Sequence, residues 1–183
     1  MKLMETKLNS YEKENTELKA EVKKLSTWRN KIEANMCSDE WVPYHGHAYK
    51  YHSTKMNWVD AQIACEKEGG YQVEIEDRLE SDWITNTFLK KDSCKTYDVS
   101  CMVWTGGSDI EEEGVYKWSH SNRTFQFTNW NPQQPSIARP EFASFEDCVN
   151  LLPAGDWNDA PCGMNFDFLC EKSLYAQLCQ TLT

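Results

Sequence analysis

The sequence has no apolar run of about 18 residues, which excludes a membrane-spanning helix. Its first residues, Met1 to Glu5, also lack the apolar stretch of a secretory signal peptide. Positive charge is scarce, because 19 lysine and arginine residues stand against 29 aspartate and glutamate residues, giving a formal net charge of −10. A chain this acidic repels phosphate backbones, so nucleic acid is not an expected partner.

The short motifs of common enzyme classes are also missing. The sequence contains no Gly-x-Ser-x-Gly elbow, no P-loop and no His-Glu-x-x-His motif. His45, His47 and His52 raise the hypothesis of a zinc site, and a zinc hydrolase using His45 and His47 is the enzyme alternative. Because no Cys-x-x-Cys pair accompanies these histidines, we interpret them as surface or strand residues and expect no enzyme.

Cysteine and tryptophan, in contrast, are abundant, with eight of each among 183 residues. An even number of cysteines in a chain of this size indicates disulfides and an oxidising compartment. With 40% hydrophobic and 13% aromatic residues, the chain can bury a sizeable core. We therefore expect a secreted protein or an extracellular ectodomain, trimmed of its signal or anchor.

Residues 1–36 differ from the rest of the chain because they include no cysteine, glycine or proline. Ten residues here are spaced alternately by four and three, which is the heptad repeat of a coiled coil. These seam residues are Met4, Leu8, Tyr11, Asn15, Leu18, Val22, Leu25, Arg29, Ile32 and Met36. The pattern predicts an α-helical coiled-coil neck over residues 1–36. A single amphipathic helix packed on its own domain is the alternative.

The composition of the seam, residues 4–36, predicts a homo-oligomer and favours a parallel dimer. Asn15 at an a position fixes the register, and Val22 at an a position beside leucines at d favours two strands. In a parallel pair, Lys7 would also face Glu12 of the partner helix. A trimer is the alternative that this composition leaves open.

The remaining sequence predicts an α+β domain at residues 37–173 and a tail at residues 174–183. The predicted elements are a strand at Ala48–His52, a helix from Asn57 to Gly69, a helix near Glu80–Leu89, and strands at Val115–Trp118 and Phe166–Cys170. Residues 129–147 contain three prolines and show little periodicity. A loop of that length inside a compact domain is usually functional.

Specific motifs follow one another between Trp130 and Cys170. In chain order they are Gln134-Pro135-Ser136, Glu146-Asp147-Cys148, Gly155-Asp156-Trp157-Asn158-Asp159 and Cys162. Together with Cys65 and Trp104-Thr105-Gly106-Gly107, this set resembles the C-type lectin-like domain family over roughly Cys37 to Lys172. The resemblance implies a C-type lectin-like fold of the α+β class, with two helices flanking small antiparallel sheets and a long loop region, here preceded by the coiled coil.

Four residues of these motifs, Gln134, Glu146, Asn158 and Asp159, offer amide or carboxylate oxygens as metal ligands. Calcium takes six to eight such oxygens, whereas zinc prefers nitrogen and sulfur. Two carboxylates roughly neutralise Ca²⁺ and leave positions that two neighbouring sugar hydroxyls can occupy. Each hydroxyl would donate to a carboxylate and accept from an amide NH₂. Calcium is therefore the expected cofactor of a carbohydrate site.

By resemblance, the principal calcium and carbohydrate site comprises Gln134, Ser136, Glu146, Asn158 and Asp159, with a cis Gln134–Pro135 bond. Ser136 departs from the family, which usually has Asp or Asn there, so weaker calcium binding is expected. Gln-Pro-Ser matches neither the galactose-type nor the mannose-type pattern. Because Glu146 follows Pro135 by eleven residues, a long spacing, galactose is favoured over mannose. Phe142 in this loop is a candidate for stacking on a sugar face.

An auxiliary cation site is a second hypothesis. Asp109 and Glu113, four residues apart, would converge with Glu146 and Asp147. The acidic residue that the family often carries just after the proline motif is replaced by Ile137. A solvated acidic turn at residues 109–113 is the equal alternative.

Covalent features complete the resemblance. By resemblance, Cys65 pairs with Cys170 and Cys148 with Cys162, while Cys94 and Cys101 most simply pair with each other. For the remaining two, Cys37–Cys179 is the economical pair, and an interchain bond beside the coiled coil is the alternative. Asn122 begins an N-glycosylation sequon in a polar turn.

The leading hypothesis is therefore a calcium-dependent lectin, secreted or part of an ectodomain, that binds glycans multivalently through its neck. Such an architecture suits repeated glycans, for example on microbial surfaces in innate immunity. The alternative is a lectin-like domain without sugar binding that acts as a protein-binding or structural module, and Ser136 and Ile137 point towards it.

Overall fold

A computed structural model of the chain describes residues 2–37, 40–89, 94, 98–136 and 145–174. Within the first range, the side chains of residues 2–6, 8–10 and 28–37 lie outside the description. The chain divides into two compact units, Met1–Pro43 and Tyr44–Thr183. The sequence-predicted boundary after residue 36 stays a prediction, and so does the tail, of which the structure describes only Leu174.

The first unit is dominated by one helix, α1, which runs from Lys2 to Cys37. Its length follows from a segment without glycine or proline that is rich in lysine, glutamate and leucine, all good helix formers. In the single chain, Tyr11, Leu18, Val22 and Leu25 of the seam are 58–64% exposed. A coiled coil would cover this apolar row, and it stays a prediction. No helix among the described residues has the length and apolarity to cross a membrane.

The second unit has the predicted α+β composition. Its elements are β2 (His47–Met56), α2 (Trp58–Lys67), β3 (Tyr71–Gln72), α3 (Arg78–Ile84), β4 (Val103–Ser108), β5 (Lys117–Trp118), β6 (Cys148–Leu151), β7 (Trp157–Ala160) and β8 (Phe166–Ser173). A short strand, β1 (Val42–Tyr44), spans the boundary between the units. A π-helical turn (Thr85–Leu89) continues α3, and a 3-10 turn (Val99–Cys101) precedes β4.

The helices show how capping residues set their ends. The side chain of Asn57 accepts a hydrogen bond from the backbone N of Asp60, so α2 begins where the sequence predicts. The helix expected near Glu80–Leu89 begins earlier, because Asp77 caps it by accepting from the N of Glu80. It ends at Ile84, and the strand expected at Val115–Trp118 is likewise shorter.

One mixed sheet joins β2, β8, β4, β6 and β7 in that order. Neighbours are antiparallel except β4 and β8, which are parallel with Val103 opposite Asp167. This differs from the small antiparallel sheets expected from the sequence. The segment between these strands contains β5, β6 and β7 and is long enough for the crossover that parallel neighbours require. The β6–β7 hairpin at the end of this order carries the Glu-Asp-Cys and Trp-Asn-Asp motifs.

The core fixes that hairpin through Trp157. Its indole ring is fully buried and meets the rings of Trp118 and Phe125 edge-on, with centroid distances of 5.8 and 5.4 Å. Aromatic side chains of this size dominate core energetics, and edge-on pairs add to the burial. The tryptophan of the Trp-Asn-Asp motif is therefore an anchor that holds the next two residues at a constant position.

In the part of the chain that the structure describes, three disulfides join six cysteines as predicted. They are Cys65–Cys170, Cys94–Cys101 and Cys148–Cys162. The first ties α2 to β8, and the third ties the start of β6 to the segment just after β7, which limits the freedom of the hairpin. Cys179 and the side chain of Cys37 lie outside the described residues, so their pairing stays a prediction.

A buried carboxylate predicts that the calcium-free fold loses stability as pH rises. Glu80 on α3 accepts hydrogen bonds from the hydroxyl of Tyr49 and the N of Glu76. Burial raises the pKa of Glu80 from its usual 4.5 to about 7. The pKa of Glu80 is thus higher in the folded than in the unfolded state. The contribution of protonated Glu80 to the free energy of unfolding is therefore fully present below pH 4.5 and is lost as pH rises through about 7.

Glu80→Gln should therefore flatten the pH dependence of stability. The wild type should lose roughly 2–3 kcal/mol of unfolding free energy from this group between about pH 5 and 8. The glutamine can still accept from Glu76 and hydrogen-bond Tyr49. Urea unfolding across this range measures the difference, with Glu66→Gln on the exposed side of α2 as the control. Coincident profiles for wild type and Glu80→Gln would show that Glu80 is not responsible.

Candidate functional site

The proline loop, the segment just before β6 and strand β7 meet around Ser136, which is buried. The Gln134–Pro135 bond is cis, as the resemblance implies. The N of Ser136 donates to Asp159 Oδ2 at 2.7 Å. Its hydroxyl hydrogen-bonds the Glu146 carboxylate and lies 3.1 Å from Gln134 Oε1. Four of the five predicted site residues are thus linked directly through Ser136.

The carboxylate of Asp159 is buried, and only one of its two oxygens accepts hydrogen bonds from described residues. Oδ2 accepts from the hydroxyl of Tyr116 at 2.9 Å and from the N of Ser136. Oδ1 is buried and has no hydrogen-bond partner in the part of the chain that the structure describes. A buried carboxylate oxygen without a donor is costly unless a cation or water meets it. Among the predicted site residues, Asp159 Oδ1 is therefore the atom best suited to be a cation ligand.

Asn158, the fifth residue, lies opposite Asn150 in the β6–β7 hairpin. Its Nδ2 donates to Asn150 Oδ1 at 3.0 Å and also to the backbone oxygen of Asp159. The carbonyl Oδ1 is the remaining polar atom of this amide. The NH₂ group of Asn158 is thus engaged within the hairpin, and the expectation that both amides donate to a bound diol stays a prediction.

We call Gln134, Ser136, Glu146, Asn158 and Asp159 the oxygen cage. Its donors are two carboxylates, two amide oxygens and one hydroxyl, a set that suits calcium and not zinc. Among the described residues, no group of three or more His, Cys, Asp or Glu side chains is arranged to hold a metal ion. Any ion here would therefore depend on the amide and hydroxyl oxygens beside the two carboxylates.

Comparison with known proteins agrees with these motifs. The family model described as "Lectin C-type domain" matches residues 54–172. The chain belongs to the C-type lectin domain family. This makes it a binding module and not an enzyme.

Two curated relatives show how much of a longer protein this chain matches. Human C-type mannose receptor 2 is 31% identical over 148 residues, which cover 80% of this chain and 9% of the receptor. The mouse low affinity immunoglobulin epsilon Fc receptor is 30% identical over 139 residues, covering 75% of this chain and 38% of the receptor. The lectin domain thus spans under a tenth of the first relative and under half of the second.

Solved structures confirm the fold. The mouse scavenger receptor C-type lectin carbohydrate-recognition domain matches with a TM-score of 0.64 and 28% identity, covering 74% of this chain and 96% of that domain. The cow CD23 domain, crystallised in the presence of GlcNAc2Man3 oligosaccharide, matches with 0.61 and 27%, covering 74% and 94%. A calcium-independent type II antifreeze protein shares the fold at 0.61 and 21%, covering 74% and 92%. The fold alone therefore does not imply calcium binding.

The predicted auxiliary site of the lectin domain centres on Asp109, which is buried. Its Oδ2 accepts from the N of Gly114 at 2.8 Å, and its N donates to the backbone oxygen of Asp147. Oδ1 is buried and without a hydrogen-bond partner in the described ranges. Burial first, then the charges of Glu113 and Asp147, raise the pKa of Asp109 to about 6. The solvated-turn interpretation fits residues 110–114 but not Asp109 itself, and the auxiliary site stays a prediction.

Three histidines of the lectin domain contact neighbouring side chains of the fold. His47 on β2 pairs with the buried Glu171, and that hydrogen bond raises the pKa of His47. His52 stacks on Phe168 at a centroid distance of 4.5 Å, and the exposed His45 stacks on Tyr44. They are strand and surface residues, and these contacts give no support to a zinc hydrolase.

This loop contains two residues considered in the sequence analysis that the structure does not describe, and one aromatic residue that the sequence did not predict. Phe142 and Ile137 lie outside the described residues. Phe145, directly before Glu146 of the oxygen cage, is an aromatic side chain that is 66% exposed. Nothing in its sequence context marked it.

Tyr116 and Asn150 also support the site without having been predicted. Tyr116 stands among other aromatics, and its contact with Asp159 depends on the fold. Asn150 carries a usable signal, because it is a polar residue inside the apolar run of β6. The sequon residue Asn122 is exposed in a turn with a positive φ of 56°, as expected of a polar turn; its glycosylation stays a prediction.

Proposed function

We propose that this C-type lectin domain binds carbohydrate through calcium at the oxygen cage. The supporting observation is Asp159 Oδ1, a buried carboxylate oxygen without a described partner, beside amide, hydroxyl and carboxylate oxygens. A bound calcium ion would offer coordination positions that two neighbouring sugar hydroxyls can occupy. Asp159 and Glu146 balance the charge of the ion and accept from those hydroxyls, while Tyr116 and the N of Ser136 hold the Asp159 carboxylate in place.

Ser136 sets the strength of this proposed site. Its hydroxyl donates to the Glu146 carboxylate and its backbone N to Asp159, so the loop is held together by protein contacts as well as by any ion. A neutral hydroxyl attracts calcium less than a carboxylate, and fewer charged ligands lower the affinity. We therefore propose a dissociation constant of about 10⁻⁴–10⁻³ M, the range of extracellular modules. The long spacing from Pro135 to Glu146 favours galactose-type over mannose-type ligands.

A glycan array probed with and without calcium tests the proposal. We expect binding to galactose-terminated glycans in millimolar calcium, loss of that binding in EDTA, and its return when calcium is restored. Free galactose should compete more strongly than free mannose. Glycan binding that is indifferent to EDTA would contradict the mechanism, and binding restricted to mannose would contradict the preference.

The second candidate is a lectin-like module that binds protein or has a structural role without calcium. The observation favouring it is Ser136, whose contacts close the loop onto Glu146 and Asp159 without an ion. An array without signal in either condition, together with no calcium binding, would favour this module.

We further propose that α1 joins copies of the lectin in an extracellular setting. Three disulfides in the described residues suit an oxidising compartment. A shallow sugar site binds weakly alone, and several heads on one neck raise the apparent affinity by making later contacts intramolecular. Repeated glycans, such as those of microbial surfaces, are the ligands that this arrangement suits.

Charges placed on the seam should separate the copies. Leu18→Glu combined with Val22→Glu introduces carboxylates at adjacent a and d positions, where a coiled coil would bury them. Light scattering of the full chain in reducing buffer should give a dimer, or a trimer, for the wild type and a monomer for the double variant. Ala20→Glu, on the opposite side of the heptad, is the control and should keep the wild-type mass. A monomeric wild type would contradict the neck.

A further inference from the structure

We propose that Asn150 is a positioning residue that orients Asn158 towards the cation, an inference that rests on the proposed function. Asn150 lies in β6 and is fully buried between the equally buried Val149 and Leu151. In the β6–β7 hairpin it stands directly opposite Asn158. No other described residue of the cage hydrogen-bonds Asn150, so it acts on the site through Asn158.

The hydrogen bonds fix which end of the Asn158 amide points away from β6. Nδ2 donates one hydrogen to Asn150 Oδ1 at 3.0 Å and the other to the backbone oxygen of Asp159. Turning the amide over would place its oxygen against the backbone oxygen of Asp159 and, with Asn150 oriented as it is, against Asn150 Oδ1, so these contacts together favour one orientation. With both hydrogens engaged, Asn158 presents its carbonyl oxygen, which is the atom that a calcium ion requires.

The buried side chain of Asn150 is not expected to stabilise the fold. Its own Nδ2 is buried and has no hydrogen-bond partner among the residues described, which is an unfavourable state for an amide. An apolar residue is the usual choice at such a strand position. Positions that break a local rule without a gain in stability are expected at functional sites. The one side-chain bond described for Asn150 goes to a candidate ligand.

Thr105 provides the contrast within the same sheet. It is also fully buried, on β4, but its hydroxyl donates to the backbone oxygen of Val149 and accepts from the N of Gly107. Both bonds close within the sheet and neither reaches the oxygen cage. Thr105 is therefore a structural polar residue, and Thr105→Val is the matched control for Asn150.

The test compares three variants of the full chain by calcium calorimetry, by melting temperature in EDTA and by the NMR signals of the Asn158 side-chain amide in EDTA. Asn150→Leu, similar in size, should weaken calcium binding about 10- to 100-fold while the melting temperature stays equal or rises. It should also shift the Asn158 amide signals. Asn150→Asp keeps the accepting oxygen and should retain most of the affinity. Thr105→Val should lower the melting temperature and leave the calcium affinity unchanged.

Two results would overturn the proposal. One is Asn150→Leu binding calcium like the wild type with unshifted Asn158 signals. The other is a parallel loss of stability and affinity in Asn150→Leu that the aspartate variant does not restore, which would give Asn150 a structural role. If the wild type itself binds no calcium, the proposed function fails, and the NMR signals in EDTA alone decide whether Asn150 orients Asn158.

Discussion

Asp159→Asn is expected to weaken calcium binding by the lectin domain on the order of 100-fold, or 2.7 kcal/mol, and to abolish retention on immobilised galactose. The substitution removes one of only two carboxylates in the oxygen cage. It also replaces the buried Oδ1, which has no hydrogen-bond partner among the described residues, by an NH₂ or a neutral oxygen. An amide can still accept from Tyr116 and from the N of Ser136, so the calcium-free fold should persist. Calcium calorimetry and a galactose column run in calcium measure the two effects.

Asp156→Asn is the matched control for this variant. Asp156 lies three residues earlier in the same hairpin, and its carboxylate accepts from the Asn131 amide at 3.1 Å. Both substitutions remove one negative charge from the hairpin, but only Asp159 belongs to the oxygen cage. Equal calcium affinities for the two variants would mean that net charge, and not the cage, governs binding.

Removing the Cys65–Cys170 disulfide is expected to cost more stability than any other covalent change. The bond joins residues 105 positions apart, and closing a loop of that length contributes up to about 4–5 kcal/mol on the chain-entropy model. The double variant Cys65→Ala, Cys170→Ala should therefore unfold at much lower urea concentration. Both cysteines are fully buried, so the alanines also leave a small void.

The Cys94–Cys101 disulfide gives the comparison for that loss. Its sequence separation is only 7 residues, for which the same model gives roughly 2 kcal/mol. Urea unfolding of the two double variants in parallel tests whether the stabilisation scales with loop length. Equal losses would contradict the loop-entropy argument and would point to local packing at each disulfide.

Local signals in the sequence were sufficient for much of the fold. The start of α2 follows from Asn57, because an asparagine cap acts within one turn of the chain. The continuous helix α1 follows from the absence of helix breakers in residues 2–36. The α3 boundaries were less accessible, since Asp77 and Glu80 both suit a first turn and only the folded chain selects the cap.

Contacts between distant segments could not be predicted from the sequence. The parallel pairing of Val103 with Asp167 depends on the crossover and leaves no local pattern. Motif spacing correctly brought Gln134, Glu146 and Asp159 together, because these positions match a family. The hydrogen bond from the Ser136 hydroxyl to Glu146 depends on this chain's own serine, and the bond from the Ser136 N to Asp159 depends on the surrounding fold. The same holds for the engagement of the Asn158 amide by Asn150.

Calcium calorimetry on the wild-type chain tests the central claim most directly. The oxygen cage predicts saturable binding with a dissociation constant of about 10⁻⁴–10⁻³ M, lost in Asp159→Asn and kept in Asp156→Asn. Absence of saturable binding up to about 10 mM calcium, a concentration tenfold above that range, would contradict it.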